Sequence, residues 1–352
     1  MSENQKTTEI SEIGEFGLIT ELCQFARQKN KSTITGIGDD AAIINHGNLQ
    51  TVVTTDLLME GIHFDLIYTP LMHLGYKAVV VNLSDIYAMM AKPTSITLSL
   101  GLSSRFSVEA VKELYKGIEK ACSFYEVDLI GGDISASLTG LTISVTALGT
   151  VEEGKAVHRS GAKVDDLICV SGDLGAAYLG LQILEREKQV YLDNKEMQPE
   201  LEQNKYIIER ILKPEARRDI VEQLQKVNIQ PTSMIDISDG LSSELMHICV
   251  QSQVGCKIYD ENIPVHKDAI ETAIIFNIDP STCAMNGGED YELLFTVSKE
   301  HLDVIEDMFD VRVIGKITEK EAGKKLVSKS GNEYDLTAQG WQSFKATNQK
   351  DT

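Results

Sequence analysis

One stretch limits the possible folds more than any other. Residues 74–91 are almost wholly apolar and read as a single long helix stopped by Pro93, yet they contain a carboxylate, Asp85. Such a helix has to be covered by other layers, and a bare charge among apolar neighbours is costly unless something pairs with it. The chain therefore needs a packed interior and a reason to keep Asp85 there. Its 352 residues are long for one core, and two domains are the natural expectation.

Around this helix, strands and helices alternate, which predicts an α/β (α+β) fold. Residues 50–55 are a β-rich run ending at Asp56, and Ser107 caps a helix whose buried face is Val111, Leu114, Tyr115, Ile118 and Cys122. Residues 127–130 predict a short strand running into Gly131, Gly132 and Asp133, and residues 141–148 another strand. A turn-rich segment, 149–161, suggests a boundary near Val151. The expected division is thus a loose tail over 1–12, an N-terminal domain over 13–151 and a C-terminal α/β domain over 152–352. In the second half, strands are expected over 166–171, 291–297 and 311–317. A strand–turn–helix is expected in SMIDISDGLSSELMHICV, and a hairpin around residues 330–332. Residues 186–206 are strongly charged without clear periodicity and read as a mobile surface insertion.

Charge removes whole classes of partner. With 33 Lys+Arg against 53 Asp+Glu, the net charge is −20. Nucleic acid and anionic lipid both need a basic face. The opening residues lack the basic and apolar regions of a secretory signal, and no apolar stretch is long enough to span a bilayer. Six cysteines form no CxxC pair and read as buried, reduced thiols, so the expected compartment is the cytoplasm.

Two glycine motifs imitate phosphate binders and fail. The segment 149–156 has P-loop spacing, but Ala156 replaces the Ser/Thr that would hold magnesium, and Glu152 and Glu153 would sit in the phosphate cradle. Gly36-Ile37-Gly38-Asp39-Asp40-Ala41 imitates a dinucleotide fingerprint, yet two carboxylates occupy the place where a pyrophosphate needs bare N–H groups.

The informative pattern is a set of aspartates at strand ends among small residues: Asp39 and Asp40 in GIGDDAA, Asp56 in VVTTDLL, Asp133 in LIGGDIS, and Asp236 and Asp239 in MIDISDGL. Taken singly, each is ordinarily a turn residue or helix cap. Asp85 escapes that explanation, being mid-helix. If the carboxylates converge, two of them ~4 Å apart at an effective dielectric of ~20 repel by roughly 4 kcal/mol. Either some protonate or divalent cations hold them together. All-oxygen ligands favour magnesium, manganese or calcium over zinc, and magnesium would let an acidic protein bind polyphosphate. Arg159 in HRSGAK is the best candidate for a fixed positive charge, ahead of Lys163. His63, close after Asp56, could hydrogen-bond a substrate, and Glu289 and Asp290 open a strand at a glycine turn.

The segments GIGDDAA, TTDLLMEGIHF, GYKAVVVNLSDIYAMMAKP, LIGGD, HRSGAKVDDLICVSGDLG, MIDISDGL and GGEDYELLF stand in an order and spacing that resemble the thiamine-monophosphate kinases, over nearly the full chain. These enzymes belong to a superfamily with aminoimidazole ribonucleotide synthetase. The resemblance implies a two-domain fold of that kind, a homodimer whose N-terminal sheets pair into a barrel-like core, and ATP near the interdomain cleft. It further implies several magnesium ions bridging the phosphates of ATP and thiamine monophosphate, with direct in-line transfer to give thiamine diphosphate. Carried over position by position, Asp39, Asp40, Thr54, Thr55, Asp56, Asp85, Asp133, Asp236 and Asp239 would be metal ligands. Gly132, Asp133, Arg159 and Ser238 would touch ATP, and His63, Glu289 and Trp341 would contact thiamine monophosphate. Trp341 is the only tryptophan, and a flat ring suits a cationic thiazolium. Two departures stand out. Ile134-Ser135-Ala136-Ser137 follows GGD where the family usually carries Thr-Thr or a nearby Arg, and the stretch 186–206 is longer than usual.

Overall fold

The computed structural model describes residues 21–22, 24–25, 29–35, 43–44, 49–196, 199 and 201–337. Of the expected site residues, Asp39, Asp40 and Trp341 lie outside them. The chain divides into two compact units: Met1–His158 with Leu184–Glu200 and Leu212–Gln230, and Arg159–Ile183 with Leu201–Ile211 and Pro231–Thr352.

In the first unit, β1 (Thr33–Thr35) pairs with β2 (Ile43–Ile44). A second sheet is built from β3 (Leu49–Met59), β4 (Lys92–Leu102), β5 (Asp128–Ala136) and β6 (Thr142–Glu152), with helices α1 (Leu71–Ala88) and α2 (Val108–Tyr125) between strands in the chain. Its order is β3-β6-β4-β5; β4 and β5 are parallel and the other neighbours antiparallel. Alternation along the strands explains the layering. Ile143, Val145 and Ala147 of β6 and Ile96, Leu98 and Leu100 of β4 are buried on the face that α1 covers, whereas Val53 (59% exposed) and Leu57 (49%) of β3 lie on the open face. The two helices cross almost backbone to backbone. A Cβ on Gly75 would stand 2.0 Å from the Leu114 carbonyl oxygen, and one on Gly117 would stand 1.9 Å from that of Met72. Gly75→Ala should therefore lower stability by roughly 1–3 kcal/mol, despite alanine's better helix propensity. An unchanged midpoint of denaturant unfolding would show that the helices can separate freely.

Helix α1 starts at Leu71 rather than Leu74 and ends at Ala88 rather than Ala91. Pro93 is not just its stop. It is the second residue of a long strand, β4, which the sequence reading did not anticipate, and the register slips beside it. A proline near a strand start costs little because its missing N–H falls where pairing is irregular. Ser107 caps α2 as expected, its Oγ accepting from the Ala110 amide at 3.3 Å.

The second unit opens with β7 (Leu167–Ser171), followed by the first part of α3 (Ala176–Asp193), whose residues from Leu184 on belong to the first unit, and by α4 (Lys205–Leu212) up to Ile211; the next helix, α5 (Arg218–Lys226), belongs to the first unit. Then come β8 (Ser233–Asp236), α6 (Leu241–Ser252), β9 (Gly255–Tyr259), α7 (Lys267–Ile275), α8 (Pro280–Asn286) and β10 (Leu293–Val297). The short helix α9 (Leu302–Glu306), β11 (Val311–Thr318), and the hairpin β12 (Lys324–Val327) and β13 (Glu333–Asp335) complete it. The sheet order is β13-β12-β9-β11-β7-β10-β8, and only β12 with β9 is parallel. Ile168, Val170, Ile235, Leu245, Ile248 and Leu294 form its apolar core. The charged stretch from residue 186 is not an unstructured insertion at its ends: α3 runs on to Asp193 and α4 begins at Lys205.

The five described cysteines, Cys122, Cys169, Cys249, Cys256 and Cys283, are buried free thiols. Among the described residues no helix is long and apolar enough to cross a membrane.

Candidate active site

In the first unit the expected residues gather on β3, α1 and β5. Thr54 and Asp56 are two apart on β3 and so share a face, the face toward α1. The Thr54 hydroxyl donates to Asp85 Oδ2 at 2.6 Å, and the Asp56 amide donates to Asn82 Oδ1 at 3.0 Å. Asn82 and Asp85, three apart, lie on one side of the helix, and Asn82 is itself fixed by donating to the Ala78 carbonyl at 3.0 Å. The carboxylate inside the apolar helix thus has a hydroxyl partner in Thr54. Asn82 was missed in the sequence. Its signal was a polar residue one turn before Asp85 in an otherwise apolar run.

Thr55 points the other way. Its hydroxyl donates to the Val145 carbonyl at 3.0 Å and accepts from Thr146 at 3.1 Å. The sheet register places Gly132 in one row with Leu98, Val145 and Asp56, and Asp133 in the next row with Ser99, Ser144 and Leu57. Asp133 is exposed. The sheet therefore separates Thr54, Asp56 and Asp85, toward the helix, from Thr55 and Asp133, toward the open face. Both Asp56 and Asp133 lie inside strands rather than at strand ends, which corrects the expected placement. Gly132 is not a turn residue either. A Cβ there would stand 1.9 Å from the Leu98 carbonyl oxygen, so glycine is needed where β5 closes on β4 beside a register shift. His63 lies in the turn after β3. Its Nδ1 accepts from the Met59 amide at 3.0 Å, so in the neutral ring Nε2 carries the proton.

In the second unit the two acidic motifs meet. Glu289 N–H donates to the Ser238 carbonyl at 2.7 Å, Tyr291 N–H to that of Ile237 at 2.8 Å, and Ile237 N–H to that of Glu292 at 2.7 Å. The DISDG turn and the GGEDYE segment are thereby laced together. Gly288 has φ +71, and a Cβ there would stand 2.5 Å from the Ser238 carbonyl. Glu289 and Tyr291 are left-handed as well, at φ 62 and 53. For non-glycine residues that costs roughly 1–2 kcal/mol each, and such strain persists only where the surroundings over-determine it.

Asp236 ends β8 and is buried, while Asp239 is half-buried. Burial, then the neighbouring Glu289 carboxylate, pushes Asp239 above the usual carboxylate range; His247 and Arg159 pull the other way. Arg159 itself is exposed. One further carboxylate, Glu244 on α6, was not singled out in the sequence. It is 2% exposed, its Oε1 accepts from the Asp239 amide at 3.0 Å, and its Oε2 has no hydrogen-bond partner among the described residues. Burial, with Asp239 and Asp236 adding repulsion, pushes it up to about 8. In the sequence it is indistinguishable from an acidic residue favoured in a helix first turn.

Among the described residues, no three His, Cys, Asp or Glu side chains are grouped closely enough to hold a metal ion alone. The donors are all oxygen, and both the burial and the Glu289 repulsion that raise Asp239 are costs a divalent cation relieves. Magnesium needs only one or two carboxylates, the rest of its shell being water and phosphate. The residues fit it.

The family model described as AIR synthase related protein, N-terminal domain, matches residues 38–151. The thiamine-monophosphate kinase of Aquifex aeolicus (strain VF5) is 35% identical over 340 residues, covering 95% of this chain and 99% of that protein. A solved structure described as AaThiL complexed with AMPPCP and TMP matches with a TM-score of 0.73 at 33% identity, covering 96% of this chain and 99% of that one. The crystal structure of the thiamine-monophosphate kinase from Stenotrophomonas maltophilia K279a matches with a TM-score of 0.76 at 31% identity, covering 92% and 98%. The mixed sheets, the laced acidic motifs and this near-complete coverage agree, and the chain belongs to the thiamine-monophosphate kinase family.

Proposed function

We propose that this chain transfers the γ-phosphoryl group of ATP to thiamine monophosphate, giving thiamine diphosphate and ADP. The observation that carries this reading is the set of oxygen donors fixed by hydrogen bonds and backbone lacing: Thr54 on Asp85, Asp56 beside Asn82, and Asp236 and Asp239 at the laced turn. A relative of the same fold solved with AMPPCP and TMP supports the choice of substrates.

In the reaction an oxygen of the thiamine monophosphate phosphate forms a bond to the γ-phosphorus. The bond from that phosphorus to the β,γ-bridging oxygen breaks, and ADP leaves with the electron pair. A phosphate oxygen is already ionised near neutral pH, so positioning matters more than a strong general base. Magnesium, when bound, neutralises charge between the two anions. Several such ions would be held among Asp39, Asp40, Thr54, Thr55, Asp56, Asp85, Asp133, Asp236 and Asp239. Gly132, Asp133, Arg159 and Ser238 would orient ATP, and His63, Glu289 and Trp341 would orient thiamine monophosphate.

The proposed organisation assigns metal and ATP binding and dimerisation to residues 13–151, an α/β domain to 152–352, and a tail to 1–12, with the reaction in the cytoplasm. The exposed Val53 and Leu57 on the open sheet face support a homodimer in which two such sheets cover each other. ADP release with magnesium should rise at least tenfold when thiamine monophosphate is added. Release that follows another phosphorylated or carboxylated acceptor instead would assign a different substrate, and ATP binding without any release would make the chain a nucleotide sensor.

A further inference from the structure

The charged stretch that had no role in the sequence reading ends in α4, and α4 carries a buried arginine. Helix α4 lies hard against α3: a Cβ on Gly180 would stand 2.4 Å from the Ile207 carbonyl oxygen. That fixes which way Arg210 points. Its side chain is 15% exposed, and Nη2 donates to Glu292 Oε1 at 2.9 Å, to the Asp173 carbonyl at 3.1 Å and to the Asp290 carbonyl at 3.2 Å. One guanidinium therefore ties three separate pieces of chain: α4, the turn after β7, and the segment that leads into β10.

The tie is reinforced around it. Glu292 accepts from the Ser171 hydroxyl, which in turn accepts from the Leu293 amide at 2.9 Å. The Asp290 carboxylate accepts from the Gly175 amide at 2.9 Å and the Ala177 amide at 3.5 Å, at the start of α3. Tyr206, one turn before Arg210, donates to Asp173. Burial pushes Asp290 up to about 7, with Arg210 opposing the rise.

The segment so held is the one with two left-handed non-glycine residues, Glu289 and Tyr291, on either side of Asp290. Backbone bonds to Ile237 and Ser238 secure one side of it, and Arg210 secures the other. We propose that Arg210 is a positioning residue for the phosphoryl acceptor: it locks residues 289–292 in the strained conformation that sets the Glu289 carboxylate, without touching substrate itself. This rests on the reading of Glu289 as a contact for thiamine monophosphate.

Hydrogen exchange of the substrate-free protein, together with steady-state kinetics, tests it. In Arg210→Met the amides of Ile237, Glu289 and Tyr291 should exchange at least tenfold faster, and KM for thiamine monophosphate should rise roughly tenfold while KM for ATP stays within twofold. Arg210→Lys keeps the buried charge, which guards against simple unfolding. A lysine ammonium cannot reproduce the planar fork, so several-fold faster exchange and a several-fold higher acceptor KM are expected. Unchanged exchange in folded Arg210→Lys and Arg210→Met would overturn the lock. Faster exchange with KM for both substrates raised equally would overturn its assignment to the acceptor. If the wild type makes no thiamine diphosphate, the functional reading fails, while the exchange data still decide whether Arg210 holds the segment.

Discussion

Asp56→Asn should lower kcat/KM by roughly 10³-fold, about 4 kcal/mol of transition-state stabilisation, while the thermal midpoint moves by no more than about 3 °C. The substitution is nearly isosteric, and it leaves untouched the Asp56 backbone amide, which donates to Asn82. What disappears is a negative charge on the α1 face of β3, beside the pair of Thr54 and Asp85. A loss concentrated in turnover, steeper at low magnesium and partly recovered by excess metal, would identify the carboxylate as a metal ligand. Equal loss of activity and stability would instead make Asp56 part of the packing between strand and helix.

Glu244→Gln should stabilise the metal-free protein by an amount that grows as pH rises from about 4.5 to about 8. The folded-state pKa of Glu244 is raised to about 8 from an ordinary 4.5. Below about pH 4.5 the carboxyl is protonated whether folded or not, and it costs nothing. As pH rises from there toward 8 the unfolded chain releases the proton more readily than the folded one, so stability falls; above 8 the loss levels off. Gln keeps the acceptor for the Asp239 amide and removes the titration. The variant should gain on the order of 2–4 kcal/mol at pH 8.5 and nothing near pH 4.5, measured by denaturant unfolding in chelator. A gain independent of pH would place the effect in packing and not in the buried charge.

The chemistry of this chain was more legible than its geometry. Asp85 stood out because a carboxylate in an apolar helix has few structural reasons to exist, and the DISDG and GGEDYE segments stood out because so many acids among small residues recur along one chain, although each alone would pass for a turn. The ends of α1 were not legible. Its N-cap is Pro70 with no side-chain cap, so apolar periodicity had no punctuation to stop it. Strand β4 was visible in the alternation of Ile96, Leu98, Leu100 and Leu102 with Thr97, Ser99 and Gly101, but Pro93 drew attention to the helix before it. Gly131 and Gly132 suggested that the strand ends at residue 130, whereas Gly132 lies within it and serves a close approach to the Leu98 carbonyl that only the paired strand reveals. Glu244 and Arg210 could not be found from sequence, because each gains its meaning from a partner distant in the chain or from burial. An acid in a helix first turn and an arginine in a charged stretch are unremarkable until Asp236 and Glu292 lie beside them.

Transfer of label from γ-labelled ATP, with magnesium and thiamine monophosphate present and products resolved chromatographically, tests the proposed reaction most directly. Label should appear in thiamine diphosphate, one per ADP formed, and should be lost when the metal is chelated. Label found only in inorganic phosphate, or none transferred while ATP remains bound, would contradict it.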